Sequence, residues 1–94
     1  MDKLELFNAL IAVVTPVNSR GVHAAALDEP LVDTGLDSLD LLMMGIYLSD
    51  IYGVSEEDAK TMQPVTVQDM FDFMEQHKTK DLPDTIKEAL NSVL

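Results

Sequence analysis

The chain has 94 residues, 47% of them hydrophobic, which is the length of one domain with enough apolar content for a single modest core. It contains no cysteine, so disulfides, thiolate zinc sites and a protein thiol nucleophile are excluded, and any thiol in its chemistry has to come from a cofactor. The formal charge of −11 opposes nucleic acid as a partner and favours basic protein surfaces.

The charge is unevenly placed. Residues 28–75 carry twelve acids against the single base Lys60, whereas 1–27 and 76–94 each balance to zero. The middle of the chain therefore makes an acidic face; a solvated surface that aids solubility is the plainer reading of the same pattern. The apolar run from Ala9 to Val14 is far too short to cross a bilayer, and Asp2 and Glu5 do not fit the basic leader of a signal peptide. The expectation is a cytoplasmic monomer that engages neither membrane nor nucleic acid.

In chain order, Leu4, Phe7, Ile11 and Val14 repeat at helical spacing, predicting a first helix from Asp2 to Val14 that Pro16 blocks. Residues 16–37 hold two prolines, Gly21 and Gly35 without a sustained period, and predict a long ordered loop anchored by Leu27, Leu31 and Leu36. Asp37 with Asp40 makes a capping pair before a second helix, Ser38 to Tyr52, which Gly53 stops. Ser55 with Asp58 repeats that pair before a short segment reaching Met62, and Thr66 with Asp69 repeats it before the stripe Val67, Met70, Phe71 and Met74. That helix runs to about His77. Beyond Lys80, Asp81-Leu82-Pro83-Asp84 reads as the start of a fifth, marginal helix that needs something to pack on. Period-two alternation is absent, so the fold class is all-α: four helices in 1–78, the third very short, and a C-terminal helical extension in 79–94.

One constellation carries chemistry. In Asp33-Thr34-Gly35-Leu36-Asp37-Ser38-Leu39-Asp40, a serine hydroxyl stands at the first turn of a helix, just after a glycine-bearing loop. Free backbone N–H groups and the positive end of the helix dipole favour a phosphate there. Neither His23 nor His77 has a spacing that ties it to Ser38 as a base, so Ser38 is a poor nucleophile by itself and a good substrate for another enzyme. The three aspartates 33, 37 and 40 do not make a calcium loop, because Gly35 and Ser38 fall where that pattern needs an acid and a glycine. A plain helix N-terminus, where serine is common, is the bland alternative.

Gly35-Leu36-Asp37-Ser38-Leu39-Asp40 resembles the G-x-D-S-L-[DE] signature of acyl carrier proteins, and the resemblance extends over the helix order of residues 1–78, including the helix start Thr66-Val67-Gln68-Asp69. It implies a four-helix bundle with a long first loop, and a serine, Ser38, that receives 4′-phosphopantetheine from coenzyme A and becomes a phosphodiester. It also implies a protein that is no enzyme itself and carries acyl groups as thioesters in fatty acid, polyketide or related lipid biosynthesis. Its partners would be a phosphopantetheinyl transferase and acyl synthase or transferase enzymes. Asp37 is expected to cap the second helix and orient the modified serine.

The second helix has two apolar faces: Leu41, Met44, Gly45, Leu48 and Tyr52 on one, and Leu39, Met43, Ile46 and Tyr47 on the other. In the family this helix recognises partners and carries several acids, at positions held here by Met43, Ser49 and Ile51. The expected docking surface is accordingly apolar, made of Leu39, Asp40, Met43, Ile46 and Tyr47 with Asp50 at its edge. Cover by the loop or the C-terminal segment is the other account of Met43 and Ile46. Gly45 costs helix stability, so either a neighbouring helix approaches it, the C-terminal segment for one, or space is kept there for cargo. The methionines Met43, Met44, Met62, Met70 and Met74 read mainly as core filling. A peptidyl or D-alanyl carrier, which uses the same cofactor, and a helical adaptor without any cofactor remain the alternatives; no metal site is expected.

Overall fold

The computed structural model describes residues 2–15 and 21–93. Among them are five α-helices and no strand: α1 Lys3–Val14, α2 Ser38–Tyr52, α3 Glu56–Ala59, α4 Val67–His77 and α5 Ile86–Asn91. None of these helices is long and apolar enough to cross a membrane.

Each helix begins where a side chain can take over an orphan N–H group. Asp2 accepts from Leu4 and Glu5 at the start of α1, Ser55 from Asp58 at α3, and Thr66 from Asp69 at α4. α1 buries Leu6, Phe7, Leu10 and Ile11 and ends at Thr15, whose hydroxyl donates to the Ile11 carbonyl at 2.8 Å. Pro16, the expected block, lies outside the described residues.

α2 is the hub. It packs against α1, α3 and α4, and it buries Met44, Leu48, Ile51 and Tyr52. Phe7 of α1 meets Phe71 of α4 edge-on, with ring centres 6.3 Å apart. Burying a side chain of this size contributes roughly 1.5–3 kcal/mol, so the shared core holds the helices together better than their individual propensities do. Gly53 closes α2 in the left-handed region at φ 71°, and the chain leaving α4 crosses that end: the N–H groups of Thr79 and Lys80 both donate to the Tyr52 carbonyl.

The long connection is ordered where it is described. Asn8 of α1 pairs with the backbone of Ala24 through both its amide groups, at 2.9 and 3.0 Å, which seats Ala24 in the core. Leu31 and Leu36 are buried and Leu27 half-buried, as their apolar character implies. The connection also forms a 3-10 turn, Leu31–Asp33, that the sequence does not announce. Its Leu31 N–H donates to the Val65 carbonyl at 2.8 Å, and Pro30 bridges Thr66, so a segment from before α2 is fastened to the segment before α4.

The C-terminal helix forms later than expected. Asp81 to Asp84 is not helical; α5 starts at Ile86 because the Thr85 hydroxyl accepts the Glu88 N–H at 3.2 Å and supplies the cap. α5 lies on α1, with Ala89 fully buried in the same core as α1, α2 and α4. Of the two accounts of Gly45, close approach by this segment is not found: no atom of its described residues lies within 4 Å of a Cβ placed there.

Candidate functional site

The loop before α2 is clamped from beneath. Buried Thr34 donates its hydroxyl to the Leu31 carbonyl at 2.6 Å and accepts the Leu36 N–H at 3.3 Å, while its own carbonyl takes the His23 N–H. Gly35, at φ 90°, makes the left-handed step that lets Leu36 turn into the core and Asp37 out of it. The Asp37 carboxylate then accepts the Asp40 N–H at 2.8 Å, and the Asp40 carboxylate reaches back to the Asp37 N–H at 3.4 Å, closing a reciprocal cap. Ser38 is exposed at the first helical position. The N–H groups of Ser38 and Leu39 have no protein partner among the described residues and face the solvent end of a 15-residue helix.

A cleft of about 620 Å³ opens beside Ser38. That volume lies within the roughly 300–1,000 Å³ usual for small-molecule sites. One wall is α2, whose Leu41, Leu42, Gly45 and Ile46 follow Ser38 along a single helical stripe. The 3-10 turn, α3 with Met62, Pro64 and Val65, and Met70 of α4 supply the others. Gly45 is buried in the cleft lining; among the described residues, and apart from its chain neighbours and the backbone of α2 itself, a Cβ there would come within 4 Å of the Met62 methyl alone, at 3.2 Å. The position of Val65 is set by Asp69, whose carboxylate accepts the Val65 and Thr66 N–H groups at 2.9 and 3.0 Å. Those backbone bonds, the one from Thr66 first, hold the Asp69 carboxyl below the ordinary aspartate range.

The expected docking residues separate into two sets. Leu39 and Ile46 are exposed at 65% and 45%, and Asp50 is exposed as well. Met43 and Asp40 are half-buried, while half-buried Tyr47 packs against the core instead of standing on the open face. Ser49 and Ile51, at positions where the acyl-carrier resemblance implies acids, are both buried. Ser49 donates to the Gly45 carbonyl at 2.7 Å and Ile51 is in the core, so a carboxylate at either position would be stranded away from water. Three exposed apolar residues were missing from the expected surface: Leu42 at 60%, Val32 at 82% and Val65 at 67%, all on the cleft. Leu42 is the one that the sequence hinted at, three residues after Leu39 and four before Ile46.

The histidines stand apart from this site. His23 is exposed in the loop, and His77 stacks on Phe73 with its Nδ1 3.8 Å from Asp58. Neither lines the cleft. At the far, C-terminal end of α2, the Tyr52 hydroxyl is buried and makes no well-formed hydrogen bond among the described residues; burial first, and then the nearby Glu75 carboxylate, push its ionisation well above the ordinary phenol range. Glu75 itself is held low by Lys78, 3.0 Å away, and by Lys3 of α1 at 3.5 Å.

No family model matches the chain, and neither a curated protein nor a solved structure does.

Proposed function

We propose that the chain is an acyl carrier, with 4′-phosphopantetheine attached to Ser38 and α1–α4 forming a bundle of acyl-carrier type to which α5 is added. The observation that supports this most is the position of Ser38: exposed at the start of α2, inside the Gly35–Asp40 signature, at the mouth of an apolar cleft. The site fits the group. The Ser38 hydroxyl is open to a modifying transferase, and the unpartnered N–H groups at the helix start favour a phosphodiester. Asp37 and Asp40 turn their carboxylates into the cap, which holds the Ser38 backbone in one orientation.

When bound, the arm supplies the thiol that the cysteine-free chain lacks and carries the acyl group as a thioester. The residues of the chain bind and shield. Leu41, Gly45 and Met62 offer an apolar lining that excludes water from an acyl chain, and the exposed Leu39, Leu42 and Ile46, bordered by Asp40 and Asp50, offer a docking strip to the transferase and to acyl synthase or transferase enzymes. The chain makes and breaks no bond of the cargo. The same exposed strip favours a second reading, a helical adaptor that never carries a cofactor; a peptidyl or D-alanyl carrier differs only in cargo.

Incubation with coenzyme A and a broad-specificity phosphopantetheinyl transferase separates carrier from adaptor. The intact mass rises by one arm, and Ser38→Ala abolishes the gain. A wild-type chain that stays unmodified, or a Ser38→Ala chain that is still modified, overturns the assignment. Identification of the acyl group on protein from its own cells then decides between acyl and aminoacyl cargo.

A further inference from the structure

The lining of the cleft is apolar except for Ser38, Glu56 and Lys60. Lys60 is the sole base between residues 28 and 75, where twelve acids stand. It nevertheless makes no ion pair among the described residues. Glu56 precedes it by four positions, the order that favours pairing along a helix, but α3 is a single turn with Lys60 as its C-cap, and the two side chains do not bridge. A lone ammonium group on an apolar wall, inside the most acidic stretch of the chain, is a recognition element for an anion that enters the cleft.

We propose that the cleft takes an alkyl chain bearing a carboxylate, with the apolar walls receiving the chain and Lys60 receiving the carboxylate. This deepens the acyl-carrier reading and rests on it: the cargo is an acyl group that keeps a free carboxylate in addition to the one in thioester linkage. Apolar burial supplies most of the affinity and the lysine supplies selectivity, because an exposed ion pair in water is a small contribution. The competing account of Lys60 is that its hydrocarbon stem merely covers the wall while the ammonium remains in solvent.

The test uses the unmodified chain, so its outcome is independent of whether Ser38 accepts an arm, and no phosphate is present to occupy Lys60. Decanoate and 1-decanol are titrated at low ionic strength, with backbone amide NMR shifts to locate the ligand and give the affinity. Both ligands shift Gly45, Ile46 and Met62. Lys60→Met, which keeps the stem and removes the charge, weakens decanoate about two- to fivefold and leaves decanol unchanged. Lys60→Glu weakens decanoate further, and Glu56→Gln strengthens it. A decanoate-to-decanol affinity ratio that is the same in the wild type, Lys60→Met and Lys60→Glu overturns the proposal in favour of the stem account. Absence of binding at the cleft by either ligand overturns it outright.

Discussion

Replacing Gly45 tests whether the cleft floor is space kept for cargo. Glycine inside a helix costs about 1 kcal/mol relative to alanine, and Gly45 sits in the middle of α2 with ordinary helical geometry. Beyond α2's own backbone and chain neighbours, a Cβ there would meet only the Met62 methyl among the described residues, at 3.2 Å. That contact is tight by a few tenths of an ångström, but the neighbour is the far end of a flexible, half-buried side chain, so moving it costs less than the helix gains. Gly45→Ala is therefore expected to stabilise the fold by about 0.5–1 kcal/mol and raise the thermal midpoint by about 3–6 °C, followed by circular dichroism. Gly45→Val is different: its branched Cβ returns most of the propensity gain and its methyls enter the cleft. This variant is expected to remain folded and to accept modification at Ser38. A long-chain acyl thioester should then hydrolyse faster than on the wild type, while a short-chain one is unaffected. Destabilisation of Gly45→Ala by more than 1 kcal/mol would show that Met62 is fixed and the floor rigid. Equal thioester lifetimes in a folded Gly45→Val would show that the space has nothing to do with cargo.

Two further predictions concern the supports of the site. Asp37→Ala removes the acceptor for the Asp40 N–H and opens the reciprocal cap, so the urea-unfolding free energy should fall by about 1 kcal/mol, within the roughly 0.5–2 kcal/mol usual for such caps; a change below about 0.3 kcal/mol would mean that the cap contributes little to the pedestal under Ser38. Asp69 has a lowered carboxyl in the fold, so its contribution to stability is complete above the ordinary aspartate range and is lost as the pH falls through the lower folded value; urea midpoints should drop on acidification, less steeply in Asp69→Asn, and identical slopes in the two proteins would dissociate this carboxylate from the Val65 wall.

The elements that the sequence marks best are those built from local chemistry. Asp37 with Asp40, Ser55 with Asp58 and Thr66 with Asp69 each announce a helix start because the cap is made within four residues of itself, and all three starts are found there. Thr85 with Glu88 is the same kind of signal, and it locates α5 better than the preceding Asp81-Leu82-Pro83-Asp84 does, since the Thr85 hydroxyl accepts the Glu88 N–H, one of the free donors of the first turn. Where contacts come from far along the chain, local patterns fail. The 3-10 turn Leu31–Asp33 has too few residues for a period and owes its position to Val65, more than thirty positions away.

The cleft shows why a site of this kind is only partly legible. Its walls come from separate stretches of the chain whose apolar residues each look like core when taken singly, and the distinction between Leu48, fully buried, and Leu42, 60% exposed, depends on which side of α2 meets the core and which side opens on the cleft. Helical periodicity places side chains on faces but does not say which face finds a partner, so Ser49 and Ile51 can be mistaken for surface positions and Leu42 overlooked. What does survive in the sequence is each local departure from the cheapest choice. Gly45 gives up helix stability in the middle of the central helix, and Lys60 places the one positive charge of the acidic stretch. Both residues line the same cleft as Ser38. Two unrelated departures, one steric and one electrostatic, are hard to account for by packing alone, because α5 does not reach Gly45 and none of the twelve acids pairs with Lys60 among the described residues. A cleft kept open by the first and charged by the second is what a bound anionic chain requires.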